Sequence, residues 1–507
     1  MNIKQAKQEI TNTLKAYLAK DQLGNYLIPT VRQRPVLLMG PPGVGKTQIM
    51  EQIAAETGVG LVAYTITHHT RQSAIGLPFI EKRTYGGEEV SVTEYTMSEI
   101  LSSVYQLMER TGLQEGILFL DEINCVSETL APMMLQFLQC KTFGNQALPE
   151  GWLIVAAGNP PEYNKSVRDF DVVTLDRVKR IDVEEDYGVW KEYARRKNLH
   201  GAVLSYLDIK KDNFYRIENT ADGLQFATAR GWEDLSELLY AYETLGIRAD
   251  REVVGQYIQM PRIAKDFANY LEMFYKYQKT YHVEGILSGT WENITVLELR
   301  EAPFDEKLSV MGLVLSRLSE EARNTRCQDA LTDALHTSLT EFREKIADAP
   351  PLTVLDQLLW KRRTAMKQAK EAGQLDKESR DLKQREINAL EDYRQRLDRE
   401  AVAPEGAMDA VRGWFGEEVE RRKAVAMETK DMFDNAFRFL ETTFGDSQEL
   451  VIFVTEITAE YDTSWFVEQF GCDAYFRHNR ELLFDSTRHR IREEIAAAKA
   501  AEQEENT

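Results

Sequence analysis

The sequence predicts an α/β fold in which a domain with a parallel sheet is followed by an all-α subdomain and a mainly helical C-terminal region. Two observations support this prediction. Short apolar runs alternate with helical patterns from Arg34 to about Asp186, and unbroken runs of this kind are typical of parallel strands buried on both faces. From about Tyr187 onward, apolar and aromatic residues recur at helical spacing instead. The predicted strands lie at 36–39, 61–64, 116–120 and 152–156.

The length of 507 residues exceeds what one hydrophobic core supports and indicates about three structural units. We expect an N-terminal helix, the α/β domain, a helical lid, a mainly helical C-terminal region and a frayed tail. Their predicted bounds are 1–33, 34–186, 187–289, 290–495 and 496–507. Charged side chains dominate residues 361–399, which predicts a long helix or helical hairpin. It fits either a solvated surface helix or an arm that binds a partner.

The composition is that of an ordinary globular protein, with 43% hydrophobic and 28% charged residues. No apolar run approaches the ~20 residues that cross a bilayer, and the polar residues 1–5 do not resemble a secretion signal. The four cysteines are widely separated, which argues against a disulfide framework and a paired-cysteine zinc site. We therefore expect a cytoplasmic protein without membrane insertion. The net charge of −20 also disfavours nucleic acid as a partner.

The first predicted element is an amphipathic helix. Apolar side chains recur at near-helical spacing among Lys, Gln and Asn within residues 3–18. The apolar positions are Ile3, Ile10, Leu14, Tyr17 and Leu18. We expect this face to cover part of the core of the α/β domain.

A glycine-rich loop follows the first apolar run and matches the pattern G-x-x-x-x-G-K-[ST]. Its residues are Gly40, Pro41, Pro42, Gly43, Val44, Gly45, Lys46 and Thr47, with Gln48 next in the following helix. Between a strand and a helix, such a loop turns its backbone N–H groups and the helix N-terminus toward an anion. Lys46 would reach the β- and γ-phosphates, and the Thr47 hydroxyl would bind Mg²⁺. The sequence therefore predicts a nucleoside triphosphate site.

Polar side chains follow two further predicted strands. Asp121 and Glu122 end the third strand, and Asn159 follows the fourth. In a P-loop protein we expect Asp121 to hold Mg²⁺ and Glu122 to orient the water that attacks the γ-phosphorus. Asn159 would hydrogen-bond the γ-phosphate or that water. Taken alone, the acid pair also fits an ordinary strand end, and Asn159 fits an ordinary loop start before Pro160.

In this order, the motifs resemble those of the AAA+ ATPases and, among them, the MoxR-like branch. The resemblance runs from about Arg34 to Gly289, a little over half of the chain. It rests on the segments 40–47, 118–124, 141–152 and 156–161. It implies a P-loop AAA+ domain with a helical lid and with ATP and Mg²⁺ as cofactors. Within the family, Asn159 corresponds to the sensor 1 residue.

The resemblance also assigns roles to arginines. Arg177 lies in a segment similar to the family's Leu-Asp-Arg, whose arginine enters the nucleotide site of the neighbouring subunit as an arginine finger. Val178 stands where the family commonly has Phe, and Arg180 follows closely, so the choice between Arg177 and Arg180 stays open. Arg230 resembles the sensor 2 arginine of the lid. From the residues alone, a surface salt bridge at Arg177 and an exposed helix arginine at Arg230 are the alternatives.

Three smaller features complete the site analysis. Residues 79–92 predict a hairpin around Gly86 and Gly87, which the resemblance makes a candidate for substrate contact in a pore. A second hairpin is expected around residues 143–145, before the sensor 1 strand. Both hairpins also fit plain architecture. His68 and His69 are adjacent, but neighbours in sequence rarely ligate one metal ion, and we expect no metal there.

The leading functional hypothesis is Mg²⁺-dependent ATP hydrolysis by a ring, expected to be a homohexamer, that remodels or matures a protein partner like a chaperone. By resemblance, that partner often bears a von Willebrand factor A domain, and the helical C-terminal region would serve as the partner or adaptor region. A slow nucleotide-gated switch or scaffold is the second hypothesis. A nucleic-acid motor is the third, and the acidic net charge disfavours it.

Overall fold

The computed structural model describes residues 1–68, 76–85, 88–143, 146–163, 170–220, 223–372, 375 and 377–480. The chain folds as two compact units. The first contains residues 1–189 and 356–387, and the second contains residues 190–355 and the chain from 388 onward. The predicted tail, 496–507, lies outside the described residues. Among the helices within them, none is both long enough and apolar enough to cross a membrane.

The first unit is built on a five-stranded parallel sheet with two short hairpins beside it. The strands are β1 (Val36–Met39), β2 (Gly60–Thr65), β3 (Pro78–Tyr85), β4 (Glu88–Tyr95), β5 (Gly116–Asp121), β6 (Thr142–Phe143), β7 (Gln146–Ala147), β8 (Trp152–Gly158) and β9 (Lys179–Asp182). The helices are α1 (Ile3–Leu18), α2 (Lys46–Thr57), α3 (Glu99–Thr111), α4 (Ala131–Cys140) and α5 (Val172–Leu175). The order across the sheet is β2-β5-β8-β1-β9.

All four strands predicted from apolar runs are confirmed as members of this sheet. In register, Thr65 of β2 lies opposite Asp121 of β5, and Met39 of β1 lies opposite Gly158 of β8. Every residue of β1 and β8 is buried, as the unbroken apolar runs predict. The edge strand β9 was not predicted, because Ile181 is its only buried residue. Since the carboxyl ends of parallel strands share one edge, the residues that follow β1, β5 and β8 converge there.

Two apolar layers cover the faces of the sheet. On one face, α1 and α2 contribute fully buried side chains, including Ile10 and Ile53, and the predicted N-terminal helix is confirmed. Asn2 and Gln5 form a reciprocal capping box that fixes the start of α1. On the other face, α3 and α4 pack through residues such as Val104 and Phe137. Each fully buried aliphatic or Phe side chain contributes about 1.5–3 kcal/mol.

The strands of both predicted hairpins are confirmed. β3 and β4 pair antiparallel along their whole length, from Pro78 opposite Tyr95 to Tyr85 opposite Glu88. The short strands β6 and β7 pair immediately before β8. The turn residues that the sequence analysis named, Gly86, Gly87, Gly144 and Asn145, lie outside the described residues.

From residue 187 onward the chain is mainly helical, which confirms the predicted fold class. The helices are α6 (Tyr187–Arg196), α7 (Gly201–Ile209), α8 (Ala229–Leu245), α9 (Arg251–Tyr257), α10 (Pro261–Thr280), α11 (Val283–Leu287), α12 (Asn293–Glu301), α13 (Phe304–Lys345), α14 (Pro351–Glu371), α15 (Lys377–Arg399), α16 (Ala407–Phe444), α17 (Gln448–Ala459) and α18 (Tyr461–Phe470). One feature differs from an all-α lid: β10 (Arg216–Thr220) pairs antiparallel with β11 (Gly223–Ala227). This ribbon is mostly half-buried or exposed, so it has no apolar run to reveal it.

The core of the second unit near this ribbon is aromatic. Trp232 of α8 is fully buried, contacts Tyr206 and Phe267, and donates its Nε1–H to the carbonyl of Phe214 at 3.1 Å. Further along, the long helices α13 and α16 meet through a buried hydroxyl pair, Thr325 and Thr429, with their Oγ1 atoms 2.9 Å apart. The charged segment 361–399 forms most of α14 and α15, as predicted.

Candidate nucleotide-binding site

The phosphate-binding motif forms the predicted turn between β1 and α2. Gly43 and Gly45 have φ angles of +76° and +91°, which non-glycine residues rarely adopt, and α2 begins at Lys46 directly afterwards. At its other end, Gly58 stops α2 with a φ of +70°. The loop therefore brings the N–H groups of the first helical turn to the carboxyl edge of the sheet, where they suit an anion.

Gly40 is required by a close approach of two backbones. A Cβ at this position would lie 2.8 Å from the carbonyl oxygen of Val183 and 3.0 Å from its Cβ. Val183 follows the edge strand β9 and donates its N–H to the carbonyl of Met39 at 2.7 Å. The first residue of the motif is thus fixed against the strand that the sequence analysis missed.

Lys46 is buried, and its ammonium group uses three directed hydrogen bonds. Nζ donates to the carbonyls of Gly40 and Pro41 and to Oδ1 of Asn159, each at 2.8 Å. These bonds hold a positive charge at the centre of the loop, beside the residue predicted as sensor 1. The structure thus brings together Lys46 and Asn159, which are 113 residues apart in the sequence.

Thr47 and Asp121 also meet, as expected of a magnesium site. The hydroxyl of Thr47 donates to Oδ2 of Asp121 at 3.0 Å, and Oδ1 of Asp121 accepts the backbone N–H of Glu122 at 2.9 Å. Hydroxyl and carboxylate oxygens are the hard donors that Mg²⁺ prefers, together with phosphate oxygens. This pair therefore fits the ion that the motif implies.

Glu122 occupies a left-handed backbone conformation, with φ at +56°. For a non-glycine residue, this conformation costs of order 1 kcal/mol and is most often retained at functional sites. The Oε2 atom of Glu122 accepts a hydrogen bond from the hydroxyl of Thr67 at 2.9 Å. Thr67 lies in the single 3-10 turn after β2, and sequence reasoning missed it. A polar residue two positions after β2, the strand beside β5, is the signal that would have found it.

Asn124 is a second functional candidate that sequence reasoning did not assign. It lies in the turn after Glu122, is buried, and donates Nδ2–H to the backbone carbonyl of Asn159 at 2.7 Å. It belongs to the segment 118–124 that carried the family resemblance, but its amide has no role in the phosphate-loop pattern. A polar residue two positions after Glu122 was the sequence feature that could have indicated a role for Asn124.

The predicted arginines lie in exposed positions. Arg177 follows α5 and donates to the side chain of Gln139 at the end of α4. Arg180 lies on β9 and forms an ion pair with Asp182 at 2.8 Å. Arg230 is exposed in the first turn of α8, in the second unit, after the N-cap residue Thr228. The roles of all three arginines stay predictions.

For His68 and His69, the expectation that they hold no metal ion stays a prediction. His69 lies outside the described residues. Within the described ranges, no group of three or more His, Cys, Asp or Glu side chains is arranged to hold a metal ion. Magnesium at Thr47 and Asp121 would instead depend on phosphate oxygens for its remaining ligands.

A parallel sheet with a phosphate loop after β1, an acid pair after β5 and an amide after β8 defines a P-loop nucleoside triphosphatase. Residues 35–178 match the family model described as "AAA domain (dynein-related subfamily)". Residues 35–178 therefore form an AAA-type domain with a P-loop nucleotide site, as the sequence analysis predicted.

A crystal structure described as a "putative ATPase" from Cytophaga hutchinsonii is 17% identical to this chain, with a TM-score of 0.22. The match covers 36% of this chain and 52% of that one, so the chain corresponds to about half the length of this solved structure. Among curated proteins, none matches the chain.

Proposed function

We propose that this chain is a ring-forming, MoxR-like AAA+ ATPase that uses Mg²⁺-dependent ATP hydrolysis to remodel or mature a protein partner. One observation carries the hydrolysis in this proposal: hydrogen bonds between side chains join Lys46 to Asn159 and Thr47 to Asp121 at one edge of the sheet. Glu122 follows Asp121 directly at the same edge. A protein that only bound nucleotide would need the phosphate loop but not the acid and amide around it. Their joint presence favours hydrolysis.

Each residue then has a chemical task. The N–H groups of the loop and of the first turn of α2 bind phosphate oxygens, while Lys46 offsets their negative charge. Thr47 and Asp121 would hold Mg²⁺, which supplies further charge neutralisation when bound. Glu122 orients and deprotonates the attacking water, and Asn159 hydrogen-bonds that water or the γ-phosphate.

Ring formation is proposed from the arginines. A cation supplied by a neighbouring subunit would stabilise charge on the γ-phosphoryl oxygens in the transition state, so hydrolysis would depend on assembly. The exposure of Arg177 and Arg180 is compatible with such a role, and so is that of Arg230 with a sensor 2 role. The homohexamer follows from the family resemblance alone.

Protein remodelling is proposed from the same resemblance and from one surface. The hairpin of β3 and β4 exposes apolar side chains, with Phe79 46%, Ile80 76% and Val90 44% accessible. Phe79 and Val90 lie on one face of the hairpin and Ile80 lies on the other, so each face offers apolar contact to a protein partner. A partner bearing a von Willebrand factor A domain is included in the proposal.

The test is ATP turnover measured against protein concentration, with oligomer size followed by light scattering. We expect specific activity to rise with assembly. We expect Glu122→Gln to abolish turnover while nucleotide binding survives, and Arg177→Ala to lower turnover at least 100-fold, in line with the effect of arginine fingers. Arg180→Ala tests the alternative finger, and Arg412→Ala on the exposed surface of α16 serves as the matched arginine control.

The outcomes separate the assignments. Loss of turnover in Arg180→Ala with an active Arg177→Ala would move the finger to Arg180. Wild-type turnover that does not change with assembly and survives both substitutions would refute the shared site. No turnover in the wild type at any concentration, with candidate partners included, would refute the proposed motor.

A nucleotide-gated switch or scaffold is the second candidate, and the bond from Thr67 to Glu122 favours it. The carboxylate expected to activate water is held by a neighbouring hydroxyl. Such a restraint predicts slow basal turnover, and in a switch a partner does not raise it. A motor differs, because its partner would stimulate turnover.

A further inference from the structure

The side chain of Asn124 links two parts of the site that hydrolysis requires. Asn124 is 3% exposed and lies two residues after Glu122, in the turn that follows β5. Its Nδ2 donates to the carbonyl oxygen of Asn159 at 2.7 Å. Between the two, the N–H of Ile123 donates to the carbonyl of Ala157 at 2.9 Å, so the turn continues the pairing with β8.

A glycine allows this contact. A Cβ on Gly158 would lie 2.5 Å from Oδ1 and 2.8 Å from Cγ of Asn124. The amide of Asn124 therefore lies directly against the backbone of Gly158. On its other side, the carbonyl of Gly158 accepts the N–H of Gly40 at 3.3 Å. The end of β8 is thus held between the phosphate loop and the turn that carries Glu122.

The second polar atom of the amide is the oxygen Oδ1. Oδ1 of Asn124 is buried and has no hydrogen-bond partner among the described residues. An unpaired buried acceptor costs about 1–3 kcal/mol, whereas an apolar residue of the same size avoids that cost. Leucine is such a residue. Stability alone therefore does not explain an asparagine here, and the donated bond to Asn159 does.

We propose that Asn124 is a positioning residue that fixes Asn159 relative to Glu122 for hydrolysis. The proposal rests on the proposed ATPase function. Asn159 contacts Lys46 through its side chain and Asn124 through its carbonyl, so both bonds set its direction. Because Asn124 and Glu122 share one short turn, this bond also ties the water-orienting carboxylate to the amide. A shift of about 1 Å in such groups costs roughly 100-fold in rate.

The first experiment compares Asn124→Leu and Asn124→Asp with the wild type. Leucine removes both polar atoms, and ionised aspartate keeps the shape but cannot donate to a carbonyl. We expect both variants to lower kcat about 10- to 100-fold, with KM for ATP changed less than about threefold. We expect Asn124→Leu to unfold at the same temperature as the wild type or a higher one, because the unpaired acceptor is gone.

The second experiment is a double-mutant cycle with Gly158. This residue does not have a positive φ, and the three atoms nearest to a Cβ at this position all belong to Asn124. We expect Gly158→Ala to lower kcat like Asn124→Ala, because its Cβ displaces the amide. In the Asn124→Ala background, Gly158→Ala should lower kcat by less than about twofold more, since coupled sites are not additive.

Three results would overturn the positioning role. One is an unchanged kcat in Asn124→Leu and Asn124→Asp beside an active wild type. Another is a loss of kcat that only follows a loss of thermal stability or nucleotide affinity. Multiplicative effects of Asn124→Ala and Gly158→Ala would be the third. An inactive wild type would refute the proposed ATPase itself, and the positioning role with it.

Discussion

Removal of the hydroxyl that holds Glu122 should raise basal ATP turnover. Thr67 donates to Oε2 of Glu122 at 2.9 Å, and this bond sets the direction of the carboxylate. We infer that the carboxylate must leave Thr67 before it can orient the attacking water. Thr67→Val removes the donor and keeps the shape of the side chain. Because Thr67 is exposed, the substitution leaves the core intact.

The size of the effect follows from the strength of this bond. A hydrogen bond to a charged group contributes about 1.5–3 kcal/mol when it is buried. Because water competes for the exposed Thr67, the contribution of this hydrogen bond is about 1–1.5 kcal/mol. A barrier lowered by that amount raises the rate about 5- to 12-fold.

The assay is steady-state phosphate release at saturating ATP and Mg²⁺, with protein concentration and oligomer size matched between samples. Thr65→Val is the control, because Thr65 is also exposed and ends β2, opposite Asp121. The double variant Thr67→Val with Glu122→Gln should be inactive. Turnover that falls in Thr67→Val would refute the reasoning, since the bond would then position Glu122 for catalysis. Unchanged turnover would show that the bond is not a restraint.

Three further predictions concern the frame around the site. Gly40→Ala should lower the free energy of unfolding by about 1–3 kcal/mol and weaken nucleotide binding, because its Cβ would meet Val183; thermal unfolding and nucleotide titration test this. Burial lowers the pKa of Lys141 to about 8, so the unfolded state binds more protons than the folded state between pH 8 and 10.5. The free energy of unfolding of the wild type should therefore rise with pH over that range, relative to that of Lys141→Met. Urea unfolding at several pH values measures this difference. Equal pH profiles would contradict it. Ile10→Ala should cost about 2–5 kcal/mol in the same assay, whereas Leu27→Ala, at an exposed position, should cost little.

The sheet could be predicted largely from the sequence, because strands that are buried on both faces have unbroken apolar runs. The runs that became β1, β2, β5 and β8 are apolar at nearly every position. The edge strand β9 has one sheet neighbour and polar residues at Lys179, Arg180 and Asp182, so it has no unbroken apolar run. The ribbon of β10 and β11 has no continuous apolar run for the same reason.

The residues of the site also divide into those that could be predicted from the sequence and those that could not. Lys46 and Thr47 could be placed because the phosphate loop fixes its ligands by spacing within eight residues. The contacts of Thr67 with Glu122 and of Asn124 with Asn159 span 55 and 35 residues. They depend on which strands are neighbours, and a single sequence does not state that order.

Residues 356–387 belong to the first unit, so this unit cannot be completed during synthesis until they have been translated. The strands and the phosphate loop leave the ribosome first, but the helical segment that completes their unit follows only after residues 190–355. One hydrogen bond of Arg110 in α3 cannot form before this segment is present, because the guanidinium donates to the carbonyl of Glu371 at 2.8 Å. At ~5–20 residues per second, residues 190–387 take about 10–40 seconds to synthesise. During that interval the first unit is incomplete, and a fragment that stops at residue 189 stays incomplete permanently.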